Sequence, residues 1–249
     1  MVTIKETFTL PSKGLVYSQK INPKITLRSM TTEDEMIRLS PSDNDYESTC
    51  ELIDRCIEGD FPISSYDLCL GDYQFLLTKL WLVTYGSEYK VVIQCPNCGE
   101  VTNGSINLGE IEVHELDEDK ELILDNEIEL PIAKNKIKLS LQTPRKLDII
   151  KEKAKEKRRK TKTNNNFEIL FSAMSLISEV DGKQMNELNL ESFVRKLSLK
   201  DVYYIIQKGD ELNGKVGLDN SVIAKCSNCK YEIITNFRFE PKLLGPQYN

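Results

Sequence analysis

Two Cys-x-x-Cys pairs constrain this chain more than any other feature, because each sits in the same local pattern. The first reads Val92-Ile93-Gln94-Cys95-Pro96-Asn97-Cys98-Gly99-Glu100 and the second Ile223-Ala224-Lys225-Cys226-Ser227-Asn228-Cys229-Lys230-Tyr231. Each pair follows a short β-prone run and leads into another, the arrangement of a zinc knuckle, where two thiolates at a hairpin tip face one ion. Two knuckles supply four sulfurs, so Cys95, Cys98, Cys226 and Cys229 are the expected ligands of one shared structural zinc. Zinc is borderline-soft and imposes no d-electron geometry, so four thiolates close a redox-inert tetrahedron around it. The 127 residues between Cys98 and Cys226 make an unusually long insertion. Loop-closure entropy grows only logarithmically, so the insertion is acceptable if it folds.

Rival chemistries fit less well. A thioredoxin-type motif places its cysteines at a helix N-terminus, and neither Pro96-Asn97 before Gly99 nor Ser227-Asn228 before Lys230 starts a helix. A four-iron cluster crowds its cysteines more closely in sequence. Two separate metals would need outside ligands, and the one histidine, His114, lies in the acidic stretch Glu112-Val113-His114-Glu115, where a surface role is expected. Four sulfurs fill a coordination sphere and leave no open position for catalysis. No Gly-rich phosphate loop or nucleophile elbow occurs, so no catalytic residue and no organic cofactor is expected.

At 249 residues the chain can bury a substantial core without disulfides. The N-terminus turns polar at once and no apolar run approaches 18 residues, so the expectation is a soluble, intracellular protein without a membrane span. Seven cysteines in such a setting argue for thiols. Cys50, Cys56 and Cys69 lie in apolar helical text and read as small buried hydrophobes. The net charge of −6 gives no global attraction to nucleic acid.

Along the chain, Thr7 to Tyr17 alternates and then breaks at Pro11 and Gly14, an extended arm or edge strand. Lys24–Arg28 is a second strand, and Thr32 with Glu35 has a capping-box pattern for a helix stopping before Pro41. Apolar Tyr46, Cys50, Ile53 and Ile57 mark one buried helical face. Residues 72–85 are apolar nearly all round, with Gly86 as a stop, and form the expected central helix. Residues 110–129 hold ten acidic residues and one lysine, whereas residues 145–162 hold ten basic and three acidic. The basic block has helical grammar with a thin stripe of Leu147, Ile150 and Ala154, and reads as a helix projecting from the body and fraying into an Asn-rich hinge. Helices follow over 167–177, 192–197 and from Ser198.

The expected organisation is therefore an N-terminal arm and helical core over 1–94, a first knuckle over 95–109, an acidic β-rich connection over 110–144 and a projecting basic helix and hinge over 145–166. A helical segment over 167–222 and a second knuckle with tail over 223–249 complete it. The fold class is α+β, predominantly helical, with a split four-cysteine zinc ribbon joining distant parts of the chain.

The words Leu10-Pro11-Ser12-Lys13-Gly14, then Lys24-Ile25-Thr26-Leu27-Arg28-Ser29-Met30-Thr31-Thr32-Glu33-Asp34-Glu35, then Cys95-Pro96-Asn97-Cys98-Gly99, come in an order that resembles the T4-type bacteriophage baseplate hub assembly proteins. The resemblance covers nearly the whole chain. It implies a non-enzymatic role in the infected bacterial cytoplasm, assisting assembly of the central hub of a contractile tail by binding other hub components, with no catalytic residue to carry over. The competing reading is a zinc-ribbon nucleic-acid-binding regulator using Lys157, Arg158, Arg159 and Lys160 to neutralise phosphates. The basic stretch lacks interleaved aromatics for base stacking, which favours a solvated helix or a protein-docking surface.

Overall fold

The computed structural model describes residues 3–116, 126–219, 221–236, 245 and 247. Part of the expected acidic connection, residues 117–125, and most of the tail lie outside the described residues.

The first lobe is built around one apolar helix. Strands β1 (Lys5–Thr9) and β2 (Lys24–Arg28) pair antiparallel, helices α1 (Thr32–Arg38) and α2 (Glu47–Cys56) follow, and the two-residue β3 (Ile57–Glu58) completes a sheet in the order β1-β2-β3. Helix α3 (Leu70–Tyr85) is apolar on every face and is accordingly buried, with Leu76, Leu77, Leu80 and Trp81 at the centre of the lobe. Gly86, at φ 96°, ends it where the sequence predicts. The capping box of α1 uses Thr31 and Asp34, one residue earlier than expected, because Thr31 takes the extended N-cap conformation. The arm is stitched down as well. β1 is the edge strand, but Leu10 and Ser12 behind it are fully buried, and the Ser12 amide donates to Asp72 Oδ1 in the first turn of α3 (3.0 Å).

Next come β4 (Glu88–Gln94) and β5 (Val101–Asn107), a hairpin with a Cys-x-x-Cys tip, and the short β6 (Val113–His114). The second lobe holds β7 (Glu127–Glu129), β8 (Lys136–Leu139), α4 (Pro144–Thr161), α5 (Glu168–Leu176), β9 (Ile177–Val180), α6 (Glu187–Lys196) and α7 (Leu199–Asn213). Its sheet runs β7-β8-β9, and its core gathers Ile137, Leu139, Ile150, Ala154, Phe171, Ala173 and Ile205. Strand β10 (Gly217–Leu218) then pairs with β6, returning the chain to the first lobe before the second hairpin, β11 (Ser221–Lys225) and β12 (Glu232–Asn236). Among the described residues helix outweighs strand and the strands form five small sheets, so the fold mixes α and β elements with helix the larger part. No helix of the described residues is long and apolar enough to cross a membrane.

Two sequence expectations need correction here. Helix α6 starts five residues before Ser192, because Asn186 caps it by accepting from the Asn189 amide (2.9 Å). The basic helix α4 does not project. Ile150 and Ala154 are buried against α5, and Asp148 turns inward to accept from the amides of Asp45 and Tyr46 (3.1 Å each) and from the Tyr66 hydroxyl (2.9 Å). Arg145 forks onto Asp67 at 2.6 and 2.9 Å, Lys151 pairs with Asp45, and Lys153 and Lys157 reach Glu187 and Glu191 of α6. A stripe of three apolar residues is thin, but a buried carboxylate and these pairs supplement it.

The returning chain packs tightly against the start of α3. A Cβ on Gly71 would lie 2.1 Å from the Val216 carbonyl oxygen, and Gly217, at φ 112°, lies against the Gly71 backbone. Gly71→Ala should therefore lower stability by about 1–3 kcal/mol in urea unfolding, whereas Gly104→Ala, whose nearest neighbour is 3.8 Å away, should change it little. Asp34 gives a pH test. Burial opposes its ionisation, but the Arg28 fork (2.6 and 3.1 Å) and the Thr31 donors outweigh that and hold its carboxyl well below the usual range. Its stabilisation is thus present above the ordinary carboxylate pKa near 4 and lost as pH falls toward the depressed value. Asp34→Asn should cost about 2 kcal/mol at pH 7, and the gap to wild type should close on acidification below about pH 4.

Candidate metal centre

Both knuckles are antiparallel hairpins. β4 and β5 pair from Glu88 with Asn107 to Gln94 with Val101, and β11 and β12 from Ser221 with Asn236 to Lys225 with Glu232. Their tips close in the same way. The Cys95 amide donates to the Glu100 carbonyl (2.8 Å) and the Gly99 amide to the Cys95 carbonyl (2.9 Å). In the other hairpin the Cys226 amide donates to Tyr231 (2.9 Å) and the Lys230 amide to Cys226 (3.1 Å). The residue after each second cysteine takes a left-handed conformation, Gly99 at φ 75° and Lys230 at φ 60°. Glycine adopts it freely and lysine at a small cost.

The equivalent tips face each other. Cys95 and Cys226 are buried beside Ile233, with Ile93 and Ala224 against them, while Cys98 and Cys229 are exposed. Cys95 Sγ lies 3.7 Å from Cys229 Sγ and Cys98 Sγ lies 3.6 Å from Cys226 Sγ. All four sulfurs lie within 4.8 Å of one another. A tetrahedral ion with metal–sulfur bonds of about 2.3 Å sets its sulfurs about 3.8 Å apart. Two of the sulfur pairs lie at that spacing and the rest within 4.8 Å, so the four thiols expected from the sequence are brought together and the donor set fits a closed site for a thiophilic metal.

Each hairpin also supplies a donor to the other. Asn97 Nδ2 reaches Cys229 Sγ (3.5 Å) and Asn228 Nδ2 reaches Cys98 Sγ (3.8 Å), while the Thr102 and Ser227 hydroxyls meet at 3.3 Å. Donors aimed at sulfur favour the thiolate form that a metal requires. The sequence signal for these donors is their shared position, one before each second cysteine. The donors act unequally on the two exposed thiols. The Asn97 amide, then the Tyr231 backbone, lower Cys229 to about 6. At Cys98 the Glu100 backbone favours the thiolate, but desolvation and the neighbouring sulfurs together push it up to about 12.

The remaining expected residues stay apart. Cys50, Cys56 and Cys69 are buried in the first lobe, and burial raises all three, Cys56 to about 12, which keeps them as thiols. His114, in β6, pairs with Gly217 of β10, and its Nδ1 lies 3.4 Å from the Gly214 carbonyl oxygen. Among the described residues the four cysteines group without a carboxylate or imidazole.

The family model described as T4 bacteriophage base plate protein matches residues 1–240 of the chain. Neither the curated proteins nor the solved structures gave a match.

Because both hairpins must contribute, Co2+ added to reduced metal-free protein should give tetrahedral thiolate absorption at one ion per chain. Cys98→Ser and Cys229→Ser should each weaken that binding despite lying on opposite hairpins. Binding should release protons and weaken on acidification.

Proposed function

Since the chain belongs to the T4 bacteriophage base plate protein family, we propose that it is a non-enzymatic assembly factor or scaffold of the baseplate hub, stabilised by one structural zinc. The family match over residues 1–240 is the observation that carries the baseplate role. The hub, the other hub components as partners and the infected-cell cytoplasm as the place of action rest on the quoted N-terminal and knuckle motifs. For the metal, four sulfurs within 4.8 Å of one another with two asparagine donors support zinc bound by Cys95, Cys98, Cys226 and Cys229. Such an ion supplies cross-linking strength between the hairpins, while the protein side chains set the spacing and favour the thiolates.

The alternative, a nucleic-acid-binding regulator acting through the basic helix, draws less support. Arg145, Lys151, Lys153, Lys157, Arg158 and Lys160 already face Asp67, Asp45, Glu187, Glu191, Glu168 and Glu156. Phosphates would have to compete with each of these carboxylates.

Purified protein should contain one zinc per chain by elemental analysis. Cys95→Ser or Cys226→Ser should lose it and lower the thermal midpoint by roughly 10 °C, the scale expected for opening a cross-linked loop of this length. Zinc-free protein, or an unchanged midpoint in both variants, would contradict the metal assignment. Co-expressed baseplate hub proteins should co-purify with the wild-type chain, and failure of every hub protein to do so would contradict the assembly role.

A further inference from the structure

We propose that the groove between α4, α5 and α6 is a docking site for a partner protein's segment that carries a large aliphatic side chain next to a carboxylate. The groove encloses about 300 Å3, enough for one or two aliphatic side chains. Buried Ile150, Phe171 and Met174, with half-buried Leu190, form its floor, and Met185 stands partly exposed at its mouth. The two methionines can adjust to side chains of different shape.

The charge of the lining selects the rest of the occupant. Lys153 is neutralised by Glu187 at 2.7 Å. Lys146 is held only by neutral acceptors, with its Nζ 2.9 Å from Ser140 Oγ and 2.7 Å from the Leu141 carbonyl oxygen. Among the described residues no carboxylate pairs with it, and burial alone lowers its pKa. An ammonium drawn partly out of water without a counter-charge is costly, and an arriving carboxylate relieves that cost. Two lysines against one glutamate leave the lining with one positive charge, next to an apolar floor. That combination complements an acidic amphipathic segment and disfavours a basic or purely polar one.

The proposal rests on the assembly reading only for the source of the segment, another baseplate protein. Its direct test uses the full chain, zinc-loaded and labelled at its methionine methyls. The probes are an alanine-based helical peptide with a leucine pair one turn from a glutamate, and its glutamine counterpart. The glutamate peptide should shift the Met174 and Met185 resonances while leaving Met30 and Met36 in place, and the glutamine peptide should bind about tenfold more weakly. Lys146→Met should erase the difference between the two peptides, and Met185→Asp should weaken both.

Equal binding of the two peptides to wild type, shifts confined to other methionines, or no binding would overturn the proposal. With hub proteins as the probe, equal retention by wild type and Met185→Asp would overturn the groove and leave the assembly role standing. If wild type retains none, the assembly role fails and the peptide result alone decides the groove.

Discussion

The path of this chain brings four sulfur atoms together although Cys98 and Cys226 are 128 positions apart. A cross-link of that span leaves the intervening chain free to be a folded body, provided its ends return to one place. The return is prepared before the second knuckle is reached. β10 pairs with β6, and Val216 and Gly217 press onto Gly71 at the start of α3, so the second lobe leaves and re-enters at neighbouring points. The hairpins then have little conformational freedom left to lose, and an ion bound between their tips would close a junction already formed by backbone contacts.

Buried carboxylates do the corresponding work inside the lobes. The four buried acids among the described residues, Asp34, Asp72, Asp148 and Asp201, each accept backbone amides, and three of them hold a loop distant in sequence. Asp72 holds the arm at Ser12, Asp148 holds the entry to α2, and Asp201 holds the β7–β8 turn through the amides of Ile132 (2.8 Å) and Ala133 (3.3 Å). Fixed amide partners offset the cost of burying these groups. Positions that would otherwise be solvated surface thereby become joints between segments, and the arm and the basic helix become parts of the body.

What could be read from the sequence was what is local or repeated. The cysteine pairs, their hairpin setting, the all-apolar α3 and its glycine stop follow from spacing and short-range preference. The lone histidine and the three remaining cysteines likewise lie outside the four-sulfur group. Features set by distant partners were not legible. Asp148 lies within the charged stretch that forms α4, yet its partners are at residues 45, 46 and 66. Ser12 reads as part of an extended arm or edge strand, and its partner Asp72 is sixty positions away. The Asn97 and Asn228 donors depend on the two tips facing each other, which neither hairpin specifies by itself.

The central claim is that the two hairpins are one unit held by a shared ion. Amide hydrogen exchange of the full chain, followed residue by residue before and after removal of the metal by a chelator under reducing conditions, tests it most directly. The account predicts that protection falls together in β4–β5 and β11–β12, near residues 90–105 and 222–235, while α3 and α5 keep theirs. Loss in one hairpin alone, or no loss in either, would contradict it.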